Sequence, residues 1–164
     1  MNDRIRKLAF AMIAFDRGEP ELIQHFTKVH AYCRLIAACE CLPDDQQEIL
    51  EAAALVHDIA IPLCLKKYGD CSGPHQEAEG PDLVREILPP IGFTPDQVER
   101  VCWLVAHHHT LTGITSLDHQ ILIEADFLVN AFESGHSDAS RRSMLEKTFK
   151  TAAGKRILKE MFDL

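Results

Sequence analysis

Long apolar runs are what this chain most plainly lacks. The stretch Leu8–Phe15 is apolar over only eight residues before Asp16-Arg17-Gly18 ends it. A bilayer crossing needs about twenty such residues, and a secretory leader needs a small-residue cleavage pattern that is missing here. Neither a span nor a leader is expected, and the chain reads as cytoplasmic. A basic excess is missing too: 17 Lys and Arg stand against 25 Asp and Glu, for a net charge of −8. With no basic stripe to offset that balance, a nucleic-acid polymer is excluded as a partner, as is a membrane surface. A small anionic ligand is not excluded, because a bound divalent cation inverts the local field. Among the six cysteines no Cys-x-x-Cys pair occurs, and Cys39-x-Cys41 is tighter than zinc spacing. They read as reduced thiols, mostly core filler. Strand-like alternation, internal repeats and low-complexity tracts are absent as well.

What remains is helical periodicity on a chain of 164 residues, 46% apolar and 26% charged. That is one domain, residues 1–164, able to bury roughly 70% of its unfolded surface. The spacing predicts a compact all-α fold of about eight helices. The first runs from Asp3 to Phe15. The second starts at Pro20 and carries Leu22, Phe26, Val29, Cys33, Ile36 and Ala37 on one face. A third leads through Ile49, Leu50, Ala53 and Val56 to His57-Asp58, and Pro62 closes it. Residues 66–81, rich in Gly, Ser, Pro and charge, read as a loop beside a site. A fourth helix covers 82–88. Thr94 caps a fifth, which carries Val98, Val101 and Val105 into His107-His108-His109. The sixth covers 117–132, and the remaining helices lie within 137–164.

Ionisable residues on these apolar faces need an explanation, since a buried charge costs several kcal/mol unless it is paired or coordinates a metal. His57-Asp58 ends the apolar run Ala52–Val56, and Asp126 sits inside Ile121–Val129. Each taken alone fits a capped carboxylate or a structural salt bridge. Asn130, one turn on, shares the Asp126 face and can orient it, whereas Glu124 is turned about 200° away. On the second helix His25 and His30 differ by about 140°, so only one of them faces a common centre. Three successive histidines span about 200°, and the series Val98, Val101, Val105 continues to His108. His107 or His109 is then a second neighbour, and the other is solvated.

His25, then His57-Asp58, then Asp126 in register resembles the HD-domain superfamily of metal-dependent phosphohydrolases over about residues 22–132. The residues after His25 (Val29, Cys33, Ile36, Ala37) look like that superfamily's first metal helix, which selects His25 over His30. The resemblance implies that His25, His57, Asp58 and Asp126 hold a divalent transition metal (Mn, Fe, Co, Ni or Zn). It also implies room for a second ion or a phosphate contact at His75, His107, His108, His109 and Asn130. Asp58 and His108 are the expected catalytic residues, Asp58 as a bridge and His108 as a ligand or phosphoryl donor. The implied substrate is a small phosphorylated molecule, a nucleotide or phosphomonoester, attacked by metal-activated water. Ile59-Ala60-Ile61 departs from the Ile-Gly-Lys of many relatives, leaving Lys66 or Lys67 to replace a phosphate-side lysine. A Gly-Tyr-Pro signature of cyclic-dinucleotide phosphodiesterases is absent after the histidine run. Two alternatives share the scaffold: a di-iron oxygenase, and a non-catalytic module that binds metal or nucleotide.

Overall fold

The computed structural model describes residues 2–164, and all regular structure among them is helical. The order is α1 (Asp3–Phe15), α2 (Pro20–Cys39), α3 (Asp44–Val56), α4 (Ile61–Tyr68), α5 (Gly73–Ile87), a 3-10 turn (Pro89–Ile91), α6 (Pro95–Val105), α7 (Leu117–Glu133), α8 (Asp138–Lys147) and α9 (Ala152–Phe162). None of these helices is long and apolar enough to cross a membrane.

α3 is the hub, packing against α1, α2, α6 and α7. Small side chains make that possible: Ala52, Ala53 and Ala54 are fully buried and let four neighbours approach one axis. α2 and α7 pack on each other beside it, with Val29, Cys33, Ile36, Leu122, Ala125 and Val129 between them in one core. α7 is buried almost all round, as its composition predicts. Thr94 caps α6 in a full capping box with Gln97.

The expected loop at 66–81 is instead mostly helix, and so is the stretch before it. Pro62 opens α4 and Pro74 opens α5, each in a first turn where a missing N–H costs nothing. Gly69, at φ +80°, ends α4, and only residues 69–72 connect the two helices. The glycine that suggested a loop serves packing: a Cβ on Gly80 would lie 2.5 Å from Val105 Cγ1, so it permits the close α5–α6 contact. A second difference lies at the histidines. α6 stops at Val105, and residues 106–109 form turns that are no longer helical. Cysteine use differs as well: all six thiols are free, but Cys39, Cys41 and Cys71 are exposed and only Cys33, Cys64 and Cys102 fill the core.

Candidate metal centre

Three chain segments bring four donor groups to the same point. α2 presents His25, the turn after α3 presents His57 and Asp58, and α7 presents Asp126. His25 Nε2 lies 3.1 Å from His57 Nε2 and 3.1 Å from Asp126 Oδ1. Asp58 Oδ2 is 3.4 Å from both imidazoles. The opposite oxygen, Asp58 Oδ1, turns toward His108 Nε2 at 3.5 Å. His25, His57 and Asp58 offer ligand atoms close enough to share one ion, and so do Asp58, His108 and His109. Asp58 is common to both groups.

The helix ends explain why these side chains converge. His57 Nδ1 donates to Ala54 O at 3.0 Å, and His108 Nδ1 donates to Val105 O at 2.7 Å, each a bond back to the helix just ended. His25 Nδ1 donates to Glu133 Oε2 at 2.7 Å, and Lys28 holds that carboxylate from its other side. With Nδ1–H committed in all three rings, Nε2 carries the lone pair that faces the site. Asn130 Nδ2 donates to Asp126 Oδ1 at 2.8 Å.

This arrangement tests whether a cation fits. Two imidazole lone pairs directed at each other across 3.1 Å, flanked by two carboxylates, repel without a positive charge between them. His108 Nε2 is buried and has no hydrogen-bond partner. A mixed N/O donor set of this kind suits a divalent transition metal. Without a metal, the protein supplies the charge as a proton. Burial alone would lower the His25 pKa, but its bond to Asp126 and the charges of Asp58 and Asp126 raise it to about 9. His57 is also raised, its burial outweighed by Asp58 and Asp126. Burial would raise Asp58, yet His57 and His108 hold it at about 2, and the two imidazoles hold Asp126 well below the usual carboxylate range.

Other sequence candidates lie elsewhere. His75 is half-exposed, stacked on Tyr68 at 3.9 Å and bonded to Asp70, away from the cluster, because α5 begins there and turns its ring outward. His107 stacks on Trp103 at 4.2 Å, outside the cluster. His30 pairs with Glu51 at 2.9 Å between α2 and α3 and serves packing. Lys67 is tied to Glu79 and Lys66 is exposed, so neither reaches the cluster. His109 joins the second group because Gly73 makes room: a Cβ there would sit 2.9 Å from His109 Cγ.

Three groups escaped the sequence reading. Glu133 lies one residue beyond the expected end of its helix and carries no apolar-face signal. Asp16 is buried with Oδ1 unpartnered. Burial first, then the Asp58 charge, pushes its pKa up to about 6. His136 lines a cavity that also touches His108, His109 and Asp126. The approach of residues 131–144 to that cleft left no periodic trace.

The family model for the HD domain matches residues 22–150. A crystal structure of a predicted HD superfamily hydrolase from an uncultured Thermotogales bacterium superposes with a TM-score of 0.71 at 25% identity, covering 96% of this chain and 84% of that one. No curated protein matches the chain.

Proposed function

The chain belongs to the HD domain family, and we propose that it is a metal-dependent phosphohydrolase acting on a small phosphate ester. The observation that carries this reading is the set of Nε2 lone pairs, each fixed by a bond at Nδ1, that converge on Asp58 and Asp126. In it, His25, His57, Asp58 and Asp126 would hold one divalent ion, and Asp58 with His108 and His109 would hold a second. Bound there, such a metal supplies Lewis acidity and an activated water for in-line attack on phosphorus.

The chain's own residues do the rest. Glu133 and Asn130 orient His25 and Asp126, which keeps the donor set assembled before substrate arrives. Asp58 directs one oxygen to each donor group, which supports a role shared between the two. His108 Nε2 would complete that second donor set or, without a second ion, would hydrogen-bond a phosphoryl oxygen. The adjoining cavity holds the body of the ester.

The test is metal content of protein prepared without chelators, with phosphate release from a panel of phosphomonoesters and nucleotides. Release that appears with metal and disappears with chelator is expected. Dioxygen consumption without phosphate release would assign the oxygenase reading, and metal or nucleotide binding with neither phosphate release nor dioxygen consumption would assign the non-catalytic one.

A further inference from the structure

A cavity of about 340 Å³ opens from Asp126, His108 and His109 and is bounded by α7 and α8. At ~30 Å³ per water that is room for roughly ten waters, enough for a ring-sized body. Asp126 and Asn130 on α7 and Ser134 at its C-cap lie four residues apart and so mark out a floor about 12 Å long. Leu111, Phe127 and Met144 give it apolar walls, and His136, its Nδ1 3.3 Å from Ser140 Oγ, offers a polar edge.

Cations are what the cavity lacks. No lysine or arginine lines it; the exposed Arg142 and Lys147 of α8 lie outside its lining, and the half-buried Lys28 and Arg141 are committed elsewhere. Lys28 is held by Glu133, and Arg141 by Asp138, the Ala131 carbonyl and the Phe162 ring. A phosphoryl group at the metal cluster meets positive charge there. A second phosphate lying in the cavity would meet Asp126 and apolar walls, and would be desolvated without a counter-ion.

Resting on the phosphohydrolase reading, we propose that this cavity seats the leaving group, and that the substrate carries a single phosphoryl group on an uncharged body with a flat, partly apolar ring. Nucleoside di- and triphosphates are then poor ligands, because their extra charge falls where the protein has none to answer it.

The experiment uses the metal-loaded full chain with phenyl phosphate, ribose 5-phosphate, and adenosine mono-, di- and triphosphate. Initial rates and dissociation constants by isothermal titration are measured in parallel, with metal content checked after each addition. The monophosphates bearing aromatic rings should exceed ribose 5-phosphate and both polyphosphates by about tenfold or more in kcat/KM and in affinity. Ser134→Arg, which adds a cation at the exposed end of the floor, should narrow the gap between mono- and diphosphate by several-fold. Polyphosphates that match the monophosphate, an unchanged ratio in Ser134→Arg, or no binding by any ester would overturn the proposal. Binding in the expected order without turnover keeps the cavity assignment and removes the hydrolase reading. Turnover in the reverse order does the opposite.

Discussion

Replacing His108 by alanine removes a buried imidazole whose Nε2 has no protein partner and faces Asp58 at 3.5 Å. If phosphate-ester turnover uses that atom, the variant loses on the order of 10²-fold in kcat, the scale of one lost transition-state contact. His107→Ala is the internal control, because that ring is stacked on Trp103 outside the donor set and should leave turnover near wild type. Steady-state phosphate release and metal content for the two variants decide it: equal, mild losses would remove His108 from the chemistry. His25 gives a pH prediction. Its folded-state pKa is about 9 against an ordinary 6.5, so in metal-free protein the imidazolium stabilises the fold fully below pH 6.5. That contribution, about 3 kcal/mol, fades as pH rises through 9. Asp58 has the opposite sign: with a pKa of about 2 it stabilises above pH 3.8 and the benefit is lost as pH falls through 2. Metal must displace the His25 proton, so metal affinity should climb about tenfold per unit between pH 6.5 and 9. Affinity that is flat across that window would mean no proton leaves when the metal enters.

At the scale of elements, Glu124 shows a charge used for architecture. It is buried on the side of α7 away from the Asp126 cluster and accepts from the Lys150 and Thr151 backbone N–H groups and from Gln120 Nε2 at 2.7 Å. It also takes the Thr151 hydroxyl, and so fixes the start of α9 against α7. Glu124→Ala leaves those donors unanswered and should cost about 3–5 kcal/mol in a denaturant melt while metal content stays intact. A loss below about 1 kcal/mol would show that α9 is held by its apolar contacts alone. The sequence reading placed Glu124 away from the site by helical angle, and that same arithmetic separated His25 from His30. Angles work where a helix is already certain. At His107–His109 they pointed His108 inward but left His107 and His109 open, because α6 ends at Val105 and the turn beyond it brings both His108 and His109 toward Asp58. Composition failed at 61–81 for a related reason. Proline and glycine there signal helix starts and a close helix contact, and an isolated sequence does not reveal which neighbour a glycine is making room for. Glu133 was invisible because its role depends on α2 lying beside the end of α7, a pairing fixed only by tertiary packing.

In the whole molecule, the donors join segments far apart in the chain: His25 and Asp126 are 101 residues apart, and α2 and α7 meet across the α3 hub. A cation held by them acts as a cross-link that exists only in the folded state, since the unfolded chain does not gather these groups. Ligand linkage then sets the expected effect. At a free metal concentration about a hundredfold above its dissociation constant, stabilisation is about 2.7 kcal/mol. For a chain of this length that corresponds to a rise in Tm of roughly 5–10 °C. Chelation should remove the increment and re-addition should restore it, while Asp126→Asn, which weakens the donor set, should melt at nearly the same temperature with and without metal. The apolar core formed by α2, α3 and α7 is independent of the ion, so the chelated protein should keep its helical circular dichroism below the transition. A wild-type Tm that ignores both chelator and added metal would mean that the converging lone pairs are settled by protons alone.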